Sequence, residues 1–390
     1  MEHKPIVCLA LPAWKGDYAK STVELISALA AWHPILYVDY TFTWKDVLKH
    51  LVGQKKHMPL KRMLGLKKAC RQVQTRQGHQ IWLLSPFPIF PVNALREGML
   101  YRFFMRLNAA LLVWQVRRWM KRLGMNDPVF LNAFQPGLGN RMVGRLNESS
   151  SFYYCYDEIS AARWAGKHGK REEQHFMKRV DAVLVSSPGL LKNKMPYAQR
   201  IGKVYNGVDF ELFHQAFRRT LPSKFTVGYV GTIDERLDFE LCEALFQQQP
   251  EVKFQFVGRV LHDRAKGWSA KFPNVKMMGS FSTNELPFYI KEFRCAIIPF
   301  VENEFTQSIY PLKINEYLAA GIPVVSTQFT DLQEFENVAH LCSTSTQFVD
   351  QVMACLMHPD EERRVLGLAH ALQCDWQARA KQLQNHLFER

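Results

Sequence analysis

The run Tyr310–Thr327, YPLKINEYLAAGIPVVST, decides how this chain is read. Lys313, Glu316, Tyr317 and Ala320 fall at i, i+3, i+4 and i+7 and so share one face of a helix. Gly321 stops that helix, Pro323 prevents its continuation, and Val324-Val325 opens a buried strand at once. A helix running straight into an apolar strand is the grammar of a parallel sheet covered by helices.

The same grammar extends outward through the second half. Strands are expected at Lys224–Tyr229, Val252–Val257, Asn274–Met278, Cys295–Pro299 and Pro323–Ser326, with helical segments between them. The first half reads alike. Strands are expected at Ile6–Leu11, Pro34–Tyr40, Ile81–Ser85, Pro128–Asn132, Ser151–Tyr156 and Ala182–Ser186, with a helix over Lys20–Ala31. The expected fold class is therefore α/β, two Rossmann-like domains whose parallel sheets face a central cleft. Ligands of such sheets bind at the carboxyl ends of the strands. The first domain is placed at 1–205 and the second at 206–375, with 376–390 packing back on the first as a terminal helix.

A chain of 390 residues with 47% hydrophobic content fits two well-packed domains. The first apolar run is only a strand's length and is closed by Lys15 and Asp17, which argues against a leader or a span there. Eight cysteines are scattered without a C-x-x-C pair, as in a reduced, cytoplasmic protein. Residues 1–200 hold 31 Lys and Arg against 13 Asp and Glu, whereas 201–390 hold 19 against 23. Between residues 51 and 125 there are 15 basic residues and one acid, Glu97. A cationic half attracts polyanions or an anionic membrane surface. A merely solubilising surface has the same composition.

Thr306, Gln307 and Ser308 precede the helix of the opening run, where backbone N–H groups point outward. Such a terminus binds phosphate, and Lys313 in the first turn adds a full charge. Glu316, one turn deeper, is placed to accept hydrogen bonds from a ribose diol. An ordinary amphipathic helix with a Lys–Glu pair accounts for the same residues.

The pattern Pro311-Leu-Lys313-x-x-Glu316-Tyr-Leu-Ala-x-Gly321-x-Pro-Val-Val resembles the nucleotide-sugar motif of GT-B glycosyltransferases. The similarity is to the glycosyl transferases group 1 family, and within it to bacterial surface-polysaccharide enzymes of the teichuronic-acid type. Further segments resemble that family in the same order: Pro12-Ala-Trp14, Leu36-Tyr-Val-Asp39, Tyr154-Cys-Tyr-Asp157-Glu158, Asp181–Ser187, Asn206-Gly-Val-Asp209 and Gly228–Asp238. The resemblance implies that Glu316 holds the donor ribose. The family's first motif glutamate, which contacts the donor sugar, is replaced here by Ser308. In the turn after the Tyr229 strand, relatives clamp the diphosphate with an arginine and a lysine. Here Gly231 and Thr232 lie at that turn, Thr232 near the arginine's place and Arg236 near the lysine's. Arg236 and Lys313 are thus the cationic candidates. A surface pair of Arg236 with Asp234 or Asp238 is the alternative.

The chemistry wants such residues because charge grows on the departing diphosphate, so fixed cations and backbone donors lower the barrier. The sequence holds no Asp-x-Asp and no His-Glu-x-x-His, which fits a metal-independent transfer; the resemblance implies a retaining one, with no cofactor beyond the nucleoside-diphosphate-sugar donor. The acceptor is expected to be a glycan or polyprenyl-linked glycan, in surface-polysaccharide biosynthesis. Asp157 is the candidate for positioning acceptor or donor sugar, beside Glu158, with Asp17 a further carboxylate. A nucleotide-sugar epimerase or a non-catalytic nucleotide-sugar-binding protein of the same fold fits the same motifs.

Met99–Met125 carries six basic and no acidic residues among Leu, Phe and Trp. That suits a helix on the inner face of the plasma membrane, and it equally suits a peripheral Rossmann helix with a basic outer side. No nucleic-acid-binding module is recognisable, and nucleic acid is not expected as a partner. Gly137-Leu-Gly139 lacks the third glycine of a dinucleotide fingerprint and reads as a loop.

Overall fold

A computed structural model describes residues 3–15, 21–55, 57–161 and 166–389. Gly16 and Asp17 lie outside these described residues. The chain divides into two compact units, residues 1–205 with 380–390, and residues 206–379.

The first unit is built on an eight-stranded sheet in the order β3-β4-β2-β1-β5-β6-β7-β8. Its strands are β1 (Ile6–Ala10), β2 (Ile35–Val38), β3 (Cys70–Gln74), β4 (Gln80–Leu84), β5 (Val129–Ala133), β6 (Ser150–Cys155), β7 (Ala182–Val185) and β8 (Ile201–Lys203). All neighbours pair in parallel except β3, which runs antiparallel to β4. The central strands are buried on both faces, as their unbroken apolar runs require. The order reverses between β1 and β5, which makes the gap beyond their carboxyl ends this unit's crevice.

The second unit has six parallel strands in the order β11-β10-β9-β12-β13-β14. They are β9 (Thr226–Val230), β10 (Lys253–Val257), β11 (Val275–Gly279), β12 (Cys295–Ile298), β13 (Val324–Thr327) and β14 (His340–Cys342). Its order reverses between β9 and β12. Those two strands pair only through Cys295–Val227 and Ala296–Gly228 and then diverge, so the crevice opens between them.

The helix of the opening run spans Leu312–Ala319. It ends in a Schellman motif, with the Gly321 N–H donating to Leu318 O at 2.9 Å and the Ile322 N–H to Tyr317 O at 3.0 Å. Gly321 has φ +67°, and a Cβ there would lie 2.6 Å from the Phe217 ring, so both conformation and space demand glycine.

The last helix, Trp376–Phe388, starts in the second unit, while residues 380–390 belong to the first. Leu383 is fully buried there. The His33 ring stacks on Phe388 with centroids 4.3 Å apart and its Nε2 meets Gln384 Nε2 at 3.1 Å. The His386 ring fills the space beside Gly202, where a Cβ would come within 2.6 Å.

Gly137-Leu-Gly139 corrects the sequence reading: it lies in the helix Pro136–Met142, not in a loop. A Cβ on Gly139 would sit 2.2 Å from Asn132 Nδ2 and 2.8 Å from Phe176, so close packing explains that glycine.

Candidate functional site

The crevice of the second unit is walled by two loops, one after β9 and one after β12. Gly231 follows β9 and donates its N–H to Val257 O at 2.9 Å. A Cβ on Gly231 would meet the Tyr229 hydroxyl at 2.7 Å, and one on Gly258 would fall 1.8 Å from Gly231 O. The two strand ends approach as only bare backbone can. The Tyr229 hydroxyl donates to Thr232 O at 3.1 Å and sets the turn that Thr232 begins.

That turn is stitched to the second loop. Asp238 N–H donates to Pro299 O at 2.8 Å, and Val301 N–H donates to Arg236 O at 2.8 Å. Asp238 also caps the helix Phe239–Gln248 by accepting from Leu241 N–H at 2.9 Å. Arg236 therefore sits beside the loop after β12, its guanidinium 5.6 Å from the centre of the Phe300 ring. It forms a fork with Asp234, Nε to Oδ1 at 2.7 Å and Nη2 to Oδ2 at 2.8 Å, and is a quarter exposed.

Lys313 and Glu316 lie on the Leu312–Ala319 helix. Lys313 Nζ contacts Glu316 Oε2 at 2.5 Å, with the lysine side chain 27% exposed and the glutamate 5%. Burial pushes the Glu316 carboxyl above its ordinary range, and the Lys313 charge opposes that rise. Lys313 also lies 6.0 Å from the centre of the Phe213 ring. The next residue, Tyr317, is fully buried, and its hydroxyl oxygen accepts the Val230 N–H at 2.7 Å. Val230 is the last residue of β9, where β12 has already diverged. Tyr317 thus replaces the missing strand partner and docks the helix one residue before the Gly231 turn. Its i+4 spacing from Lys313 reads as core packing, so the sequence offers no signal for this role.

Thr306 and Ser308 depart from expectation. They form a 3₁₀ turn in which the backbone N–H groups are already used. The Thr306 N–H donates to Asn303 Oδ1 at 2.9 Å, Gln307 N–H to Asn303 O at 2.9 Å, Ser308 N–H to Phe305 O at 3.2 Å and Ile309 N–H to Thr306 O at 3.0 Å. The Thr306 hydroxyl is buried and donates to Val301 O at 2.6 Å, and the Ser308 hydroxyl is buried near Glu304 O at 3.4 Å. These two hydroxyls shape the loop that precedes the Lys313 helix.

Asp157 stands in the first unit, exposed after β6, and accepts the Glu158 N–H at 2.8 Å. Glu158 is buried and belongs to a charge cluster with Lys194, whose Nζ reaches Glu158 Oε1 at 2.9 Å and Glu173 Oε2 at 2.8 Å. Tyr153 donates to Glu173 Oε1 at 2.7 Å. The cluster holds the loop that presents Asp157 at the carboxyl edge of its sheet. At the same edge, Trp14 N–H donates to Asp39 Oδ1 at 2.8 Å and the Tyr37 hydroxyl to Pro12 O at 2.7 Å. Gly231, Thr232 and Arg236 thus stand in the turn after β9, and Lys313 and Glu316 on the helix that Tyr317 ties to the end of that strand; Asp157 lies in the other unit.

Residues 239–385 match the family described as glycosyl transferase-like. A Bacillus subtilis (strain 168) protein named as a teichuronic acid biosynthesis glycosyltransferase, TuaH, is 27% identical over 179 residues, 43% of this chain and 45% of its own length. The chain's match thus spans about half of that curated relative. Among solved structures, sucrose-phosphate synthase from Thermosynechococcus elongatus superposes with a TM-score of 0.69 at 15% identity, covering 98% of both chains. HepE from Anabaena, solved with UDP and glucose, gives 0.65 at 16% identity over 100% of both chains. TarM from S. aureus, solved with fondaparinux, α-GlcNAc-glycerol and UDP, gives 0.61 at 12% identity over 99% of this chain and 100% of its own.

Proposed function

With residues 239–385 in the glycosyl transferase-like family and the whole chain in the GT-B fold, we propose that this protein is a glycosyltransferase that draws on a nucleoside-diphosphate sugar. The observation that carries the proposal is the Lys313–Glu316 helix docked by Tyr317 at the β9–β12 crevice. Glu316 accepts the ribose hydroxyls in this reading. The diphosphate lies against the Gly231–Thr232 backbone in this reading and is met by Lys313 and Arg236.

Each cation is already neutralised by a carboxylate, Lys313 by Glu316 and Arg236 by Asp234. A diphosphate brings competing negative charge, so binding exchanges an internal pair for a pair with the ligand. As the glycosidic bond breaks, charge accumulates on the leaving diphosphate and these cations stabilise it more than in the ground state. The leaving phosphate itself takes the acceptor's proton in a retaining reaction, which asks for no metal and no separate base. Asp157 orients the acceptor or the donor sugar.

The acceptor is a glycan or polyprenyl-linked glycan of a surface polysaccharide, met in the cytoplasm at the inner face of the plasma membrane. The relative in Bacillus and the UDP-containing neighbours support that class of substrates. The deciding experiment is nucleotide release from a panel of nucleotide sugars, with and without lipid-linked acceptors. Acceptor-dependent release with one donor is expected. Nucleotide binding without turnover of any donor would reduce the protein to a binding subunit, and interconversion of free donor sugars would make it an epimerase.

A further inference from the structure

The long helix Met99–Leu123 is apolar on two sides. One side, with Met105, Ala109, Leu112 and Val116, is buried in the core of the first unit. The other carries Met99, Leu100, Phe103, Leu107 and Trp114, all exposed, with Phe103 at 61% and Trp114 at 51%. At 100° per residue, Met99, Phe103, Leu107 and Trp114 fall within about 80° of arc. Arg102, Arg106, Arg117, Arg118 and Lys121 are exposed on or beside that same arc. No acidic residue interrupts them, and none of these cations pairs with a carboxylate among the described residues. Arg118 lies 5.5 Å from the centre of the Trp114 ring instead.

A second patch of exposed apolar and basic residues is tied to the helix through its buried Asn108. Phe90 N–H donates to Asn108 Oδ1 at 2.8 Å, and Trp44 N–H donates to the adjacent Ile89 O at 2.9 Å. Trp44 starts the helix Trp44–Leu51, whose Leu48 is 65% exposed, with Leu51 and Val52 exposed beyond it. Its one acid, Asp46, is occupied by Lys55 at 2.7 Å, which leaves Lys45 and Lys49 outward. At the far end of the long helix, Trp114, Arg117, Arg118 and Lys121 line a concavity of roughly 800 Å³ together with Arg145. Its other walls include Asn126, Asp127 and Asn147, which precede β5 and β6, so it lies at the edge opposite the strands' carboxyl ends and sets one carboxylate among the four cations.

We propose that this face docks on an anionic lipid bilayer. Phe103, Leu107 and Trp114 enter the interfacial region, the flanking arginines meet lipid phosphates, and the concavity receives a headgroup phosphate. Charge complementarity selects this occupant: the face offers cations and apolar groups in one stripe, the two components of an anionic interface. A nucleic acid matches the cations but leaves Met99, Leu100 and Leu107 in water. The helix lies along the surface rather than through it, since no described helix is long and apolar enough to cross a membrane.

Flotation of the purified full chain with vesicles tests the proposal without any substrate, so it stands apart from the transferase activity. Binding to phosphatidylcholine vesicles containing about 30% phosphatidylglycerol should exceed binding to pure phosphatidylcholine by about tenfold and fall in high salt. Reversing Arg117, Arg118 and Lys121 to glutamate should abolish that difference, and Phe103→Ser with Leu107→Ser should weaken binding by about tenfold at unchanged circular dichroism. Glycerol phosphate in solution should not compete, because a lone headgroup lacks the apolar component. Equal recovery on neutral and anionic vesicles overturns the proposal. So does binding to a DNA duplex as tight as to anionic vesicles and untouched by the Phe103 and Leu107 changes.

Discussion

The hydroxyl oxygen of Tyr317 accepts the backbone N–H of Val230 at 2.7 Å, where β12 has diverged from β9. Tyr317→Phe leaves that buried donor unsatisfied and should cost about 1–3 kcal/mol in urea unfolding. Because the same bond docks the helix bearing Lys313 and Glu316, nucleotide affinity should fall as well. A variant with lower stability and wild-type affinity for UDP would separate the docking from the site.

Glu316 is the clearest single test of the proposed ribose contact. Glu316→Ala should weaken nucleotide binding by about tenfold or more, the value of one or two hydrogen bonds to a charged group. Lys313→Ala should instead lower turnover more than binding, since its contribution grows with charge on the leaving diphosphate. Isothermal titration with UDP and single-turnover kinetics read the two effects separately. Unchanged constants in both variants would remove this helix from the site.

The Arg236–Asp234 fork predicts an effect of the opposite sign. If Arg236 must leave Asp234 to meet a diphosphate, Asp234→Ala should tighten nucleoside-diphosphate binding by a few-fold, roughly 1 kcal/mol. Weaker binding in that variant would mean that the fork itself holds Arg236 in place for the ligand.

Lys194 is buried between Glu158 and Glu173. Lys194→Met leaves two buried carboxylates without their cation and should destabilise the first unit by about 3–5 kcal/mol in chemical unfolding. A loss under 1 kcal/mol would show that solvent reaches the cluster.

His370 gives the protein a mild acid sensitivity. Burial, with the nearby Arg379 charge, lowers its imidazole from 6.5 to about 4, and its ring meets the Cys374 thiol at 3.5 Å. Between those two values the unfolded chain binds a proton that the folded chain refuses, so stability falls as pH drops from 6.5 toward 4. Thermal unfolding of His370→Gln across that window should lose this part of the slope.

The sheets were legible because their central strands are buried on both faces and appear as unbroken apolar runs such as IVCLA and VFLNA. The strands that escaped notice are edge or near-edge strands. β3, CRQVQ, buries only Cys70 and is polar at Arg71, Gln72 and Gln74, and β8 and β14 have three residues each, too short for any pattern. Gly139 was misleading for a tertiary reason: its glycine is demanded by Asn132 and Phe176, which no local signal reveals. In the crevice, the placement of Lys313 and Glu316 on one helix face followed from spacing alone. The burial of Thr306 and Ser308 did not, because a hydroxyl facing a ligand and one closing a turn look alike in sequence.

The division of the last helix has a consequence for biosynthesis. The first unit is not contiguous along the chain: Leu383, Gln384, His386 and Phe388 complete it from the far end. When the ribosome has delivered residues 1–205, the slot beside Gly202 and the face of His33 are still empty. The first-made unit is thus finished only after the second has been made, when residues 380–389 reach it. A chain lacking residues 380–389 would keep an open slot beside Gly202 and an uncovered His33 ring in the first unit.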